Sequence, residues 1–312
     1  MIRSALLSHP VRFLSIAAFI LVAVDSPGTV HAAEWLGPSA IKASADGKSL
    51  YVACGDANQV LVVDADSADG TAAVARAAGA EVVSQADLGG VAGEAALPAA
   101  RAFEALGPVD GKGDAMWRAL AAVRGDLVAY IDADTRDFRP EFVNGLFGPL
   151  LCEPGVRFVK GSYRRPFTVD GREVPDGGGR VSQLTARPLL GAFYPPLGDL
   201  GQPLAGEIAA LRELLEQLPF ATRYAVETAM LIDVLEREGA GAIAECDLGE
   251  RRNQHQPLPA LRPMAEQVLA VICERLRREG RLRDGGPEDG TVYRPPFAEL
   301  VGAAAPARGV TA

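Results

Sequence analysis

"DLVAYIDADTRDFRP", residues 126–140, joins an apolar run to two carboxylates, Asp132 and Asp134, separated by one alanine. "DLVAYI", residues 126–131, reads as a buried strand, and side chains at i and i+2 beyond it point the same way. In open α/β sheets, ligands bind past the carboxyl ends of strands, where this pair sits. Two like charges held together favour a hard divalent cation, Mg²⁺ or Mn²⁺, bridging phosphates. An isolated D-x-D is also an ordinary solvated turn, so its neighbours decide.

Outward from this stretch, strands and helices alternate. "ADGTAAVARAAGAEVV" (68–83) reads as a helix followed by a short strand, and "GDAMWRALAAVRG" (113–125) has helical spacing. A helix over 140–151, a strand over 156–163 and a helix opening at "GRVSQLTARPLL" (179–190) follow. Helices are expected around 207–217 and 224–238, then the strand "AIAECDL" and a long helix near 258–279. This order predicts an α/β fold, a Rossmann-like and mostly parallel sheet with helices on both faces.

Composition narrows the function. The 312 residues carry a net charge of −9, which argues against nucleic-acid binding. Four scattered cysteines without a CxxC pair read as buried thiols, and three histidines, His9, His31 and His255, exclude a multi-histidine zinc site once the N-terminal segment is set aside. No stable membrane span is expected.

Two further motifs suit phosphates. "DGKGDAMWRAL" (110–120) places Lys112 in a glycine turn at a helix start, where a cation and backbone N–H groups meet. "GGGRVS" offers Gly177 to Gly179, whose backbone lets an anion approach, with the Arg180 guanidinium and the Ser182 hydroxyl beside them. Arg164 and Arg165 read equally well as structural ion-pair partners. Tyr224 and Glu227 are one turn apart and share a helix face.

"VDADSADGT", "GKGDAMWRAL" and "YIDAD" occur in the order found in GT-A-type nucleotide-sugar glycosyltransferases, and the likeness runs from about Val60 to Gly280. "VKGSYRRPF", "GGGRVSQLTARPLL", "PLAGEIAALRELL", "YAVETAMLIDVLE" and "LGERRNQHQPL" resemble the glucosyl-3-phosphoglycerate synthases within that group. The resemblance implies retaining transfer of glucose from UDP-glucose or a related donor to 3-phosphoglycerate, with Mg²⁺ or Mn²⁺. It implies Ala65, Lys112, Asp132, Ala133, Tyr224 and Glu227 at the donor, and Gly179, Arg180, Val181, Ser182, Arg251 and His255 at the acceptor. Asp134 is implied as metal ligand and, with Glu227, as a catalytic group. The family also suggests a homodimer.

Two departures stand out. Where the family has a histidine two residues past the arginine of "LGxR", this chain has Asn253, whose oxygen suits Mg²⁺; the alternative ligand is His255. The family's first strand, with its base-binding loop, is also missing ahead of Val60. Residues 1–32 look like a signal peptide, with an apolar run from Phe13 to Val24, and 33–59 look like one β-propeller blade in which "SLYVAC" and "QVLVVD" form a hairpin. The expected divisions are 1–32, 33–59, an incomplete transferase domain over 60–285 and a loose tail over 286–312. A working enzyme belongs in the cytoplasm, whereas the N-terminus points to export. The competing readings are an exported, non-catalytic remnant and a GT-A transferase with another acceptor.

Overall fold

The computed structural model describes residues 18–24, 38–43, 50–54, 59–64, 71–77, 81–84, 105–107, 109, 111–123, 125–132, 139–169, 172–175, 177–251, 256–283 and 292–302. In chain order these form β1 (Ala18–Val24), β2 (Pro38–Ala43), β3 (Leu50–Cys54), β4 (Gln59–Asp64), α1 (Thr71–Ala77) and β5 (Glu81–Ser84). Next come α2 (Lys112–Ala119), β6 (Leu127–Asp132), α3 (Pro140–Cys152), β7 (Phe158–Arg164), β8 (Phe167–Val169) and β9 (Arg172–Val174). A π-helical turn (Ser182–Ala186) leads into α4 (Arg187–Phe193), followed by β10 (Ile208–Leu211), α5 (Arg212–Leu215) and β11 (Phe220–Ala221). The last elements are α6 (Val226–Glu238), β12 (Ile243–Glu250), α7 (Leu258–Arg278), β13 (Tyr293–Arg294) and α8 (Phe297–Gly302).

Seven strands make the main sheet, in the order β12-β7-β10-β6-β1-β4-β5. β12 and β7 are parallel, as are β4 and β5, while β10 and β1 run antiparallel to both their neighbours. Five strands therefore point one way and two the other, so the sheet is mixed with a parallel majority. β6 alternates between two cores. Leu127, Ala129 and Ile131 pack with Leu146 and Phe147 of α3 on one face. Val128 and Tyr130 pack with Met116, Trp117, Met230 and Ile272 of α2, α6 and α7 on the other. That alternation is the period of two that a strand covered on both faces requires.

Three expectations change. The expected helix over 207–217 is strand β10 followed by one turn of helix, because Ile208 to Ala210 fill a slot between β6 and β7. "SLYVAC" pairs as β3 with β2 in a separate two-stranded sheet, so its expected hairpin with "QVLVVD" does not form. The strand between β4 and β6 is instead Ala18–Val24, from the leader-like apolar run, paired along both edges with Phe19 opposite Asp132 and Val63. Without it β4 and β6 would present unpaired backbone to each other, and buried backbone groups require partners.

The tail is also less loose than expected. β13 pairs with β11, and Trp117 Nε1 donates to the Pro295 carbonyl at 3.0 Å. Cys152 is exposed and Cys246 and Cys273 are partly buried, all three free, so the buried-thiol expectation fails for Cys152.

Candidate functional site

Two glycines place Lys112, and a third accommodates Asp132. Gly111 adopts φ +113°, and a β-carbon on it would lie 2.7 Å from Arg223 Cα. One on Gly113 would lie 1.9 Å from the Ala221 carbonyl oxygen. Only glycine lets the start of α2 press this closely on the 221–223 backbone. Arg223 itself takes φ +63°, strain of the kind found where a side chain is held for function. A β-carbon on Gly206 would fall 2.1 Å from Asp132 Oδ1, so glycine is required there for Asp132 to be reached by the 201–207 loop.

The result is a buried ionic network at the carboxyl end of β6. Lys112 Nζ donates to Asp132 and lies 2.9 Å from Glu227 Oε1. Arg251 is 3.3 Å from Asp132 Oδ2, 2.7 Å from Glu207 Oε1 and 2.8 Å from the Tyr163 hydroxyl. Tyr163 in turn donates to Glu207 at 2.9 Å. Lys160, fully buried in β7, donates to the Ala205 carbonyl. Removal of water strengthens every charge interaction here.

Protonation follows from that balance. Burial lowers the Lys112 pKa, but Asp132 and Glu227 outweigh it and hold the ammonium above its ordinary range. Burial raises the Asp132 carboxyl, yet Lys112, Arg251 and Arg165 hold it well below the usual carboxylate range. Lys160 differs: burial dominates and its ammonium is pulled down to about 8, only partly supported by Glu227 and Glu207. Burial and the Glu227 charge raise the Tyr224 phenol, which the Lys112 charge opposes.

The second corner adjoins the first through Arg165. Gly178 donates to the Arg165 carbonyl at 2.9 Å and Gly177 to Val174 at 3.2 Å. Those two amides, expected to face an anion, are thus already used within the turn. Arg180 donates to the Gln256 carbonyl and stacks 5.1 Å from the Phe167 ring centroid. Gly179 has φ +66°, Val181 and Ser182 are buried, and Ser182 opens the π-helical turn.

No protein-family profile matches the chain. It is 48% identical over 162 residues to the glucosyl-3-phosphoglycerate synthase of Mycolicibacterium smegmatis, covering 52% of this chain and 54% of that one. The Petrotoga mobilis synthase is 44% identical over 167 residues, 54% and 51% of the two chains. The chain thus spans about half the length of the curated relatives it matches. Among solved structures, the Rubrobacter xylanophilus mannosyl-3-phosphoglycerate synthase superposes with TM-score 0.66 at 48% identity, over 77% of this chain and 79% of that one. The Mycobacterium tuberculosis glucosyl-3-phosphoglycerate synthase, in complex with Mn²⁺, UDP-glucose and phosphoglyceric acid, gives 0.63 at 38% identity over the same shares. This chain belongs to the glucosyl-3-phosphoglycerate synthase family.

Its GT-A-type α/β fold is therefore the family's, with β1 reversed at the centre of the sheet. Of the expected site residues, Lys112, Asp132, Glu227 and Arg251 meet in one network, and Tyr224 lies within its field. Gly179, Arg180, Val181 and Ser182 form the adjoining corner. Ala65, Ala133, Asp134, Asn253 and His255 lie outside the described residues. Among the described residues no three acidic, histidine or cysteine side chains are grouped to hold a metal ion. Lys160, Tyr163, Gln202, Gly206 and Glu207 were missed as site residues. A lysine inside the apolar "FVKGSY" strand was the available signal for the first. Glu207 lies in a segment whose spacing predicts a helix, which hides its approach to Arg251.

Proposed function

We propose that this protein transfers glucose from UDP-glucose to 3-phosphoglycerate with retention of configuration. The observation that carries the reading is the buried Lys112–Asp132–Glu227–Arg251 network abutting an arginine-topped glycine corner. In this reading the first binds the donor diphosphate and sugar, and the second takes the acceptor's phosphate and carboxylate. The glucose C1–O bond to the β-phosphate breaks as the glycerate hydroxyl oxygen bonds C1 on the same face, and its proton passes to the leaving phosphate. Lys112 stabilises the charge that grows on that phosphate, and Glu227 holds Lys112 beside the sugar.

Asp132 is engaged by Lys112 and Arg251; by the resemblance to the family, Asp134 with Asn253, or with His255 instead, would hold a divalent ion. These are hard oxygen donors or a single imidazole, a set that fits Mg²⁺ or Mn²⁺. Bound there, the ion would neutralise the diphosphate.

Purified full-length protein should consume UDP-glucose with 3-phosphoglycerate only when Mg²⁺ or Mn²⁺ is added. No turnover and no thermal shift from UDP would instead mark a non-catalytic remnant. The 48% identity to a mannosyl-3-phosphoglycerate synthase favours a second reading, a mannose donor, which GDP-mannose in the same assay tests. We further propose a cytoplasmic location, since both substrates are metabolites of the cell interior, and a homodimer on the resemblance to the family alone. No helix among the described residues is long and apolar enough to cross a membrane.

A further inference from the structure

One loop, residues 201–207, touches both corners of the proposed site. At its far end Gly206 abuts Asp132 and Glu207 binds Arg251. At its near end Gln202 lies against the glycine corner. The β-carbon that Gly179 lacks would sit 3.1 Å from Gln202 Oε1 and 3.5 Å from Nε2, so the amide occupies the space that glycine leaves open. Its backbone is fixed. Glu245 Oε1 accepts from the N–H of Gly201 at 2.7 Å and of Gln202 at 3.4 Å, and the Gln202 carbonyl accepts from Ala205 at 3.0 Å.

Gln202 is only 6% exposed, and its carbonyl oxygen Oε1 has no hydrogen-bond partner among the described residues. A buried amide oxygen left unpaired is costly, so such a group in a ligand corner marks a place where a donor arrives. The anionic groups of a phosphorylated hydroxy acid only accept hydrogen bonds. Its one free hydroxyl donates.

Resting on the proposed function, we infer that Gln202 is an acceptor-specificity residue whose side-chain oxygen takes a hydrogen bond from the hydroxyl of the phosphorylated hydroxy acid. The contact selects a hydroxy acid over its deoxy analogue in the bound state, and the hydrogen bond is given up when the hydroxyl proton passes to the leaving phosphate. Arg180 and Arg251 carry only donors, so neither can accept the hydrogen bond that the hydroxyl donates.

The test compares 3-phosphoglycerate with 3-phosphonooxypropanoate, which lacks the hydroxyl, by titration calorimetry on the full chain with UDP and Mg²⁺. Wild type should bind the hydroxy acid about tenfold more tightly, the value of one neutral hydrogen bond near the upper end of its range. Gln202→Met should bind both ligands equally. Gln202→Glu, which still accepts from a hydroxyl but repels the anion, should weaken both and keep the preference. A Gln202→Met protein that retains the preference, or a Gln202→Glu protein that loses it, overturns the inference, as does a wild type that does not discriminate or binds neither ligand. If wild type discriminates and Gln202→Met does not, yet no sugar is transferred from UDP-glucose or GDP-mannose, the proposed function falls and the inference stands.

Discussion

Lys112 and Asp114 are two residues apart on α2 and end in two different charged clusters. Lys112 enters the network of Asp132, Glu227 and Arg251. Asp114 turns the other way: Arg118 lies 2.8 Å from Oδ2, Val109 N–H donates to the same oxygen at 3.1 Å, and Arg294 lies 2.5 Å from Oδ1. Arg118 and Arg294 also donate to the Gly107 carbonyl, and both guanidiniums stack on Trp117. The Asp114 cluster is closed, its carboxylate wholly buried, and it fastens the C-terminal segment to α2. The Lys112 cluster opens at Asp132, whose side chain keeps 18% exposure. Equal chemistry thus serves a clamp in one place and a site in the other, and access to solvent separates them.

Breaking each cluster should give opposite phenotypes. Asp132→Ala leaves Lys112 on Glu227 and Arg251 on Glu207, so the chain stays folded while turnover falls about 10²–10³-fold, read as sugar transfer at saturating substrate. Asp114→Ala strands two buried guanidiniums and should cost about 3–5 kcal/mol in urea unfolding, with turnover per folded molecule unchanged. A result in which the two phenotypes trade places would erase the distinction.

Lys160 sharpens it. Its pKa falls on folding from 10.5 to about 8 because burial dominates. The folded state then holds fewer protons than the unfolded one across that window, so this group penalises folding below pH 8 and the penalty fades as pH rises toward 10.5. Lys160→Met should abolish that alkaline gain in melting temperature and slow turnover by freeing the Ala205 tether.

The smallest effect belongs to a third cluster, intermediate in exposure. Tyr194, Asp233, Glu236, Arg275, Arg278, Glu279 and Arg281 line a cavity of about 560 Å³ away from the proposed site. Arg275 pairs with Asp233 at 2.7 Å, and Tyr194 donates to Glu279 at 2.5 Å. Burial and a hydrogen bond with Glu279 raise the Glu236 carboxyl to about 7. A raised carboxyl holds its proton in the fold longer than in the unfolded chain, so stability drops as pH climbs from about 4.5 to 7. Glu236→Gln should flatten that slope in thermal melts without altering sugar transfer.

Much of the site was legible because its motifs carry local reasons. The glycines around Lys112 mark a close approach, and the apolar run before Asp132 marks a strand end. Lys160 left only the signal of a charge inside an apolar strand, and Glu207 was hidden in a segment whose spacing suits a helix; the role of each shows only once its partner is known. The same holds for Gln202, whose side-chain oxygen shows its lack of a partner among the described residues only in the folded chain.

Most strands and helices after Val60, β10 excepted, were fixed by local pattern, as were the acidic sheet end and the arginine-bearing glycine turn, since period, turn residues and charge are properties of neighbours along the chain. The tertiary structure decided where the apolar run before Val24 goes. Its hydrophobicity suits a leader or a central strand equally, and only the gap between β4 and β6, with two rows of backbone groups to satisfy, selects the strand. It decided, too, which charges meet, because Lys112, Asp132, Glu227 and Arg251 are distant in sequence and only folding brings them together.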